Sequence, residues 1–473
     1  MTTSLKTLAQ LILKNCEILD DSCAKRGIPV PSLDKPYAPG SDVATDDDPA
    51  AAQAMMVIAS TTEQLLKTIR PAPLALYSFV TSGVTGAAAR VASELHVTEA
   101  LRDSGEKGLH INEIAAKCKT HPLKLGVVLR MLASHWVFKE VRPDVFANNR
   151  LSSVLDKGQS IEELQAHPEN RYSKPFAGLS AGVDHFGDDS LKMCAHLYEA
   201  LADPEWAFSS APNKSAFNKA FDFDGTLWEF YELPDQKVRH DRFKIMMSTA
   251  ERFDSPELIP KGFEWASLPD GGVVVDVGGG IGNISMKIAK TNPKLKVVCQ
   301  DMQKTVEAAH AHWKGDEEKA IISSGRVTFQ GHDFFAAQPV KNASVFFIKH
   351  VLHDWSDDSC LTILRALREA AGPDTKLVVM DKVLPYTCLD QGEGEDVPGY
   401  TKPKLPEPLT NVGAATIGFP YMSSLVMMML GNGQERAIGH YVELFKKGGW
   451  KVERVRQFDS LARYDSAVIA SPI

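Results

Sequence analysis

The chain has few cysteines and lacks the spacing of a metal or disulfide scaffold. Its 473 residues include seven cysteines, which are scattered and form no C-x-x-C pair. Such spacing predicts neither a disulfide framework nor a zinc site. We therefore expect no bound metal and a reducing, cytoplasmic location.

The chain also has fewer basic than acidic residues, 52 against 60. The formal net charge is −8, so the whole molecule has no general attraction to nucleic acid or to an anionic membrane. The first fifteen residues carry neither a basic n-region nor a small-residue cleavage site, so we expect no signal peptide in this stretch. The sequence predicts no nucleic acid and no membrane among its partners.

Long uninterrupted apolar runs are missing as well. The stretch 411–430 is uncharged, but Gly413, Gly418 and Pro420 interrupt it, so we interpret it as core lining a pocket and not as a membrane span. The apolar fraction of 44% and the charged fraction of 24% are typical of a globular protein. A chain of this length exceeds one ordinary core and predicts two domains.

The most informative stretch is 273–283, which reads VVVDVGGGIGN. Its β-branched apolar residues predict a buried parallel strand, and helical periodicity resumes at 285–290. Between them lie glycines at 278, 279, 280 and 282, which permit positive φ and a close approach of a ligand to the main chain. We expect a ligand to bind on this turn.

The spacing of the glycines narrows the choice of ligand. A dinucleotide fold requires G-x-G-x-x-G, and the third glycine position is occupied here by Asn283. The pattern D-x-G-x-G-x-G instead resembles the first motif of class I S-adenosylmethionine methyltransferases. Asp301 ends the next predicted strand, where a carboxylate can accept hydrogen bonds from a ribose diol. A plain strand-to-helix turn would need fewer glycines and no such carboxylate.

The segment after this turn alternates between strand and helix, which predicts an α/β, Rossmann-like parallel sheet. The last two strands are separated only by 458–463 and should pair antiparallel. A seven-stranded sheet with a reversed last strand is the methyltransferase pattern. The predicted strands after 273–277 are 295–300, 326–330, 344–348, 376–381, 451–457 and 464–470, and the helices are 303–313, 356–371 and 434–447. The residues between Pro385 and Pro408 predict a solvated loop.

The first hundred residues predict helices. Leucine and isoleucine recur at helical spacing over 3–19, and this helix has no evident receiver within the chain, so we expect it to pack on a partner subunit. A linker rich in proline follows over 29–50. Helical periodicity over 51–69 and 74–101 predicts two buried helices.

Residues 111–150 predict a winged helix, with two short helices followed by two strands around residues 142–144. DNA binding through the second helix is one interpretation, and the stretch carries seven Lys/Arg against three acidic residues. The other is a module for dimerisation and for covering the catalytic domain. We favour the second, because apolar residues fill most of the second helix.

A segment rich in aromatic residues and methionines precedes the glycine turn, at 217–247. Such a stripe is usually core, but flat rings and adaptable methionines also suit the wall of a pocket for an aromatic substrate. The residue pattern alone leaves both interpretations open.

The strand at 344–348 runs into Lys349, His350, His353, Asp354 and Trp355, within the string FFIKHVLHDWSDD. Ligands bind at the carboxyl ends of strands in an open α/β sheet, so these side chains face the same crevice as the glycine turn. A phenol has a pKa of about 10, and histidine can accept its proton during methyl transfer. A carboxylate should fix the tautomer of that histidine.

From about residue 50 onward the chain resembles the caffeate-type plant and fungal O-methyltransferases, through the strings LHDWSD and GNGQER. It is most similar to the fungal enzymes that methylate aromatic polyketides of the sterigmatocystin type. The resemblance implies S-adenosylmethionine as cofactor, a small aromatic phenol as substrate and a homodimer. The implied catalytic residues are His353 as the general base, with Asp354, Asp381 and Glu435. The implied cofactor-binding residues are Asp276, Gly278, Gly280, Asp301, Met302, Asp333, Phe334, Lys349 and Trp355. His350 receives no role.

The resemblance also implies a domain organisation. Residues 1–50 form a helix and linker arm, 51–165 a helical, winged-helix-like dimerisation domain, and 166–473 the catalytic domain, with a helical pocket segment at about 190–264. Two other classes stay open: a protein that binds S-adenosylmethionine but catalyses a step without methyl transfer, and a winged-helix regulator. The intact His353 and Asp354 disfavour both.

Overall fold

In this computed structural model the chain is described over residues 4–45, 47–174, 177–250, 257–415, 419–458 and 464–473. These ranges hold helices at the N-terminal side and a large sheet at the C-terminal side. The helices are α1 (Leu5–Arg26), α2 (Pro49–Ile69), α3 (Ala72–Val80), α4 (Gly83–Glu94), α5 (Val97–Leu101), α6 (Ile111–Lys117), α7 (Pro122–Ala133), α8 (Ile161–Ala166), α9 (Gly178–His185), α10 (Leu191–Ala195), α11 (Leu197–Ala202), α12 (Ala216–Phe221), α13 (Leu227–Tyr231), α14 (Lys237–Ala250), α15 (Leu258–Gly262), α16 (Asn283–Thr291), α17 (Gln303–His312), α18 (Asp316–Ser323), α19 (Asp357–Ala370), α20 (Val412–Ala415), α21 (Phe419–Gly431) and α22 (Ile438–Lys447).

The strands form two sheets. They are β1 (Leu109–His110), β2 (Lys139–Arg142), β3 (Val145–Ala147), β4 (Val273–Val277), β5 (Lys296–Asp301), β6 (Val327–Gly331), β7 (Val345–Lys349), β8 (Lys376–Lys382), β9 (Trp450–Phe458) and β10 (Asp465–Pro472). The large sheet has the order β6-β5-β4-β7-β8-β10-β9, and β10 runs antiparallel to both of its neighbours. The predicted seven-stranded sheet with a reversed last strand is confirmed.

Strand β4 lies inside the sheet between β5 and β7, and valines on both of its faces are buried. Val275 and Val277 belong to the core on one side of the sheet, and Val274 belongs to the core on the other. A strand covered by helices on both faces buries successive residues on opposite sides, as the run of valines requires. Val277 at its carboxyl end pairs with Ile348 of β7, so the turns that follow these two strands lie side by side.

The predicted helices of the sheet domain are present, with two differences. The helix predicted at 434–447 begins only at Ile438, because the GNGQER string is extended and Arg436 bridges to Val383. Helices α18, α20 and α21 were not predicted. Helix α18 is short and buries only Ile321, so its sequence carries little helical periodicity.

The N-terminal helix packs on another helix of the same chain, so the expectation that it packs on a partner subunit was wrong. Helix α1 packs along α2, and Leu8 is buried with Val57 of α2 and with Leu409 from the far end of the sequence. The prediction of one buried helix at 74–101 holds only in part, because α4 and α5 contribute Ala92, Val97 and Leu101 to a core that α3 does not join. The chain breaks there into α3, α4 and α5, and α3 exposes a row of large apolar side chains: Leu74, Leu76, Tyr77, Phe79 and Val80.

Residues 109–147 contain the predicted pair of helices and the hairpin, joined by β1 into a three-stranded sheet. Helix α7 buries Leu125, Leu129 and Leu132. Its outer side exposes the apolar Leu123 and Val127 together with Lys124 and Arg130, and the Arg130 guanidinium is paired with the Glu140 and Asp144 carboxylates.

The loop at 385–408 is not simply solvated, contrary to expectation. The Val455 N–H of β9 donates to the Pro398 carbonyl oxygen at 2.9 Å, and the Thr401 N–H donates to the Gln457 side chain. Val397 and Tyr400 pack against the core beneath. The loop therefore covers the edge strand of the sheet, which would otherwise present unpaired backbone groups.

The aromatic segment at 217–247 contributes a core of its own. Phe217, Phe230 and Tyr231 are buried with Val426 and Met429 of α21. The stretch 411–430 thus supplies core, although residues 416–418 lie outside the described ones. Over the described ranges, no helix combines the length and apolarity needed to cross a membrane.

Candidate active site

The glycine turn between β4 and α16 follows the predicted geometry. Gly278, Gly280 and Gly282 have φ of 73°, 58° and 87°, in the left-handed region that favours glycine. A methyl group placed on Gly280 would meet no atom within 4 Å, whereas one on Gly282 would lie 2.7 Å from the Phe329 ring. The backbone at Gly280 is therefore open to a ligand, and Gly282 allows α16 to approach the sheet.

Asp301 at the end of β5 is tied to the glycine turn. Its Oδ2 accepts a hydrogen bond from the Gly280 N–H at 2.8 Å, and its Oδ1 accepts one from the Met302 N–H at 2.8 Å. A carboxylate has about four acceptor sites, so both oxygens keep capacity for a diol. Met302 is exposed beside it. These residues fit the ribose end of a nucleoside.

Asp276 supports the turn from below and is closed off from solvent. It is 2% exposed, and its Oδ2 accepts a hydrogen bond from the Ser285 hydroxyl at 2.6 Å. Burial raises the pKa of this carboxyl to about 6. The predicted direct contact with a cofactor is not favoured by this placement, because Asp276 faces the protein interior and fixes the strand to α16.

Asp333, Phe334 and Trp355 lie at the neighbouring strand ends. Asp333 is exposed after β6, and its Oδ1 accepts a hydrogen bond from the Phe335 N–H at 2.9 Å. Trp355 is 9% exposed and packs edge-on against the rings of Phe334 and Phe335. Phe334 is only partly buried, so it and Asp333 can meet a ligand more readily than Trp355 can.

His353 lies on a short 3₁₀ turn after β7, next to the glycine turn. A methyl group on Gly278 would lie 2.7 Å from Val351, two residues before this histidine. The ring is buried, and Nδ1 lies 3.0 Å from the Glu435 Oε1. The opposite nitrogen, Nε2, lies 3.6 Å from the Asp354 carboxylate. The structure thus brings His353, Asp354 and Glu435 together, and Asp381 lies close enough for its charge to act on the His353 ring.

The charges around His353 favour its protonated form. Burial alone would lower the pKa of His353, but the Glu435 and Asp354 carboxylates outweigh it and raise the pKa to about 9. Burial would raise the pKa of Glu435, but the His353 ring lowers it to about 2. Both directions describe a buried imidazolium–carboxylate pair. Nδ1 therefore carries a proton toward Glu435 in either state of the ring.

Asp381 was predicted to flank the base, and the structure gives it other partners. Its Oδ1 accepts a hydrogen bond from the His350 N–H at 2.9 Å, and its Oδ2 accepts one from the Tyr441 hydroxyl at 3.3 Å. Asp381 is 2% exposed and holds the backbone of the turn that leads to His353, and its charge also helps to raise the pKa of the His353 ring. Its catalytic role stays a prediction.

Family models identify two parts of the chain. The model described as the O-methyltransferase domain matches residues 198–395, and the O-methyltransferase dimerisation domain matches residues 78–158. An O-methyltransferase of Armillaria gallica is 41% identical over 98% of this chain and 97% of its own length. The chain belongs to the O-methyltransferase family. A 4-O-methyltransferase of Phanerochaete chrysosporium is 35% identical over 96% of this chain and 95% of that protein.

Solved structures share the fold of this O-methyltransferase at lower identity. NcsB1, an O-methyltransferase from neocarzinostatin biosynthesis in complex with S-adenosylmethionine and 2-hydroxy-5-methyl naphthoic acid, has a TM-score of 0.58 at 22% identity, covering 82% of this chain and 96% of that one. A pericyclic reaction enzyme has a TM-score of 0.67 at 18% identity, covering 98% and 100%. The predicted class, an S-adenosylmethionine-dependent O-methyltransferase of fungal type, is confirmed.

Sequence reasoning missed several supports of the O-methyltransferase site. The Ser423 hydroxyl donates to Glu435 Oε1 at 2.7 Å, and Lys382 Nζ lies 4.0 Å from the same oxygen. Arg436 is fully buried and donates to the carbonyl oxygens of Leu352 and Trp355, both at 2.7 Å. Arg436 was detectable as the neighbour of Glu435 in GNGQER, but charged residues are so seldom fully buried that nothing in the pattern singled it out.

Proposed function

We propose that this O-methyltransferase methylates a phenolic hydroxyl of an aromatic acceptor, with His353 as the general base. The observation that carries the proposal is the buried His353–Glu435 pair beside the glycine turn. Glu435 accepts from Nδ1, which leaves Nε2 of the neutral ring to accept the phenolic proton. Asp354 stabilises the imidazolium that forms.

The pKa of His353 suits a phenol. The pKa of a free phenol is about 10, and that of His353 is raised to about 9 by Glu435 and Asp354 against the effect of burial. Transfer of the phenolic proton to the neutral ring is therefore nearly balanced in free energy. Because a general base works best with a pKa near the operating pH, the raised pKa predicts that activity increases with pH as the ring loses its own proton.

The residues of the glycine turn fit the cofactor. The open backbone at Gly280 and the acceptor capacity of Asp301 suit the ribose, and the exposed Asp333 and the partly buried Phe334 suit the adenine end. Lys349 at the end of β7 completes this proposed set. When bound, S-adenosylmethionine supplies a methyl group on a sulfonium. The chain's own task is to hold acceptor and cofactor in line.

The acceptor class follows from the resemblance of LHDWSD and GNGQER to fungal polyketide O-methyltransferases, and we propose an aromatic polyketide phenol. NcsB1 shows that this fold accommodates a fused aromatic acid. The aromatic core formed by Phe217 and Phe230 reaches Met429 on α21, the helix that carries Ser423 next to Glu435. Met427 of the same helix is only partly buried against this core, so an aromatic acceptor near the base could meet its thioether.

We also propose that the O-methyltransferase works as a homodimer, with α3 in the interface. The dimerisation domain begins at residue 78, within α3, and this helix exposes Tyr77, Phe79 and Val80. A soluble monomer seldom exposes so many large apolar side chains on one short helix. A second copy of the chain is the partner whose apolar surface matches it.

The test is methyl transfer from radiolabelled S-adenosylmethionine to a panel of mono- and polycyclic phenols, with the products identified by mass spectrometry. The proposal requires a labelled methyl ether from at least one phenol and its loss in His353→Ala. If the cofactor binds but no phenol is methylated and a phenol is converted without the label, the non-methylating alternative is correct instead.

A further inference from the structure

His350 lies in the site without a role in the proposed chemistry. Its ring stacks on that of His353, with centroids 5.3 Å apart and planes 21° from parallel. The side chain is half-buried. A second imidazole against the face of the proposed base can act either on the base or on the acceptor that the base contacts.

The backbone fixes His350 in this place. Its φ is 52°, in the left-handed region that non-glycine residues seldom occupy. The His350 N–H donates to Asp381 Oδ1 at 2.9 Å, and Asp381 is buried at the end of β8. Strained conformations persist where the surrounding structure holds them, and they concentrate at functional sites.

The proton on the His350 ring can be assigned from its neighbour. Nδ1 lies 3.2 Å from the Lys349 Nζ, and a lysine ammonium is only a donor. Nδ1 must therefore accept, so the ring proton is on Nε2. Burial, Lys349, Lys382 and His353 together hold the pKa of His350 well below its ordinary value, so the ring stays neutral.

The remaining nitrogen is available to a ligand. Among the described residues, no side chain or backbone group forms a hydrogen bond with Nε2. The atom is also not fully buried, so a ligand can reach it. A neutral N–H next to the base, with its direction fixed by Lys349 and Asp381, can donate to an oxygen that enters the site with the acceptor. The two stacked imidazoles would then contact adjacent substituents of one aromatic ring.

We propose that His350 is a specificity-determining residue whose Nε2–H donates a hydrogen bond to a second oxygen of the acceptor, ortho to the hydroxyl that is methylated. The inference rests on the proposed function, because it requires a phenol on His353. The acceptor class is thereby narrowed to ortho-dioxygenated aromatic rings. Lys349 and Asp381 act on the acceptor only through His350 and are positioning residues in this respect.

The experiment compares matched phenol and naphthol pairs that carry either a methoxy or an ethyl group ortho to the hydroxyl. The two members have nearly the same shape, but only the methoxy oxygen can accept a hydrogen bond. Wild type should prefer the methoxy member in kcat/KM by roughly three- to tenfold, which corresponds to one neutral hydrogen bond. Equal kcat/KM for the two members would overturn the proposal.

Two variants separate specificity from support of the base. His350→Phe keeps a flat ring on His353 but has no N–H. Its kcat/KM for the methoxy member should therefore fall, while its kcat/KM for the ethyl member stays unchanged. His350→Gln restores an N–H donor without the ring and should recover part of the preference. His167→Phe, at an exposed histidine far from the sheet, should change nothing.

The alternative outcomes are distinct. If His350→Phe slows both members equally and moves the inflection of the pH–rate profile, His350 only orients His353, and the proposal is wrong. If wild type methylates neither member nor any other phenol while it binds S-adenosylmethionine, the proposed function itself has failed. Cofactor affinity and the melting temperature of each variant establish that it is folded.

Discussion

At the scale of single residues, the environment of His353 determines what its ring can do. In water a histidine is mostly neutral at pH 7, but here the Glu435 and Asp354 carboxylates raise its pKa to about 9 against the opposing effect of burial. The free site therefore holds a proton at pH 7. The proposed base becomes competent as the pH rises and the ring loses this proton.

The pH dependence of the reaction tests this arrangement. Glu435→Gln removes the main cause of the raised pKa, and burial then lowers the pKa of His353. We expect the rising limb of kcat/KM to move to lower pH than in wild type, while the maximal rate falls less than in His353→Ala, because glutamine still holds the ring. Steady-state kinetics between pH 5 and 10 measure the shift. If the inflection of the rising limb stays at the wild-type pH, that limb does not reflect the titration of His353.

The contact between Asp301 and the glycine turn gives a second prediction at this scale. Asp301→Ala removes the acceptor of the Gly280 N–H and, in our proposal, of the cofactor ribose. The affinity for S-adenosylmethionine should fall by roughly 1–3 kcal/mol, the cost of a buried polar group left without its partner. Calorimetric titration measures the affinity, with Asp316→Ala at an exposed site on α18 as the control. Equal affinities for Asp301→Ala and wild type would contradict the assigned site.

The sequence predicted His353, Glu435 and Asp301 because motif strings and strand ends locate such residues. It could not predict that Asp381 would support His350, since the direction of a carboxylate depends on side-chain length and on Tyr441, which is 60 residues away in the chain. The role of Asp276 is open to the same uncertainty of direction, and its contact with the cofactor stays a prediction. A residue that ends a strand can face the ligand or the interior, and only packing decides which.

At the scale of elements, the turn that carries His353 depends on a buried arginine. Arg436 donates to two carbonyl oxygens of this turn and to Asp357 at the start of α19. Arg436 also pairs through its backbone with Leu384 after β8. One side chain therefore joins the segment that bears Glu435 to the segment that bears His353.

Replacing this arginine should loosen the site and the fold together. Arg436→Lys keeps the charge but loses the planar fork, so it cannot serve both carbonyl oxygens and Asp357. We expect the free energy of unfolding to fall by about 2–4 kcal/mol in urea titrations. Arg454→Lys, at an exposed position on β9, should stay within about 0.5 kcal/mol of wild type. A loss no larger than that of the control would mean that the fork is dispensable.

Periodicity predicted the sheet elements to within a few residues, because each strand from β4 to β10 can be recognised from the apolar residues of its own segment. It failed where burial depends on distant or external partners. Leu8 of α1 packs on Leu409, across four-fifths of the chain. The apolar residues of α3 look like core in sequence, but they lie on the surface.

At the scale of the whole molecule, the proposed homodimer depends on α3 and not on α1. The double substitution Tyr77→Glu and Phe79→Glu places charges on the exposed apolar row of α3 and should give a monomer of 51.8 kDa in light scattering at micromolar concentration. Leu13→Glu, on the exposed side of α1, should leave the mass at twice that value. A monomeric wild type, or a dimer that survives the α3 substitutions, would reject this interface. The domain boundaries at residues 50 and 165 stay predictions.

The central claim is that His353 takes the phenolic proton, and single-turnover kinetics test it most directly. Wild type and His353→Ala are each saturated with S-adenosylmethionine and mixed with an authentic aromatic phenol across pH 6 to 10. We expect the variant to be slower at neutral pH by roughly 10²–10⁴-fold, the usual contribution of a general base, with nearly unchanged cofactor affinity. The deficit should shrink at high pH, where the phenol ionises unaided. A variant that keeps the wild-type rate at neutral pH would contradict the account and leave the positioning of the two substrates as the source of the rate.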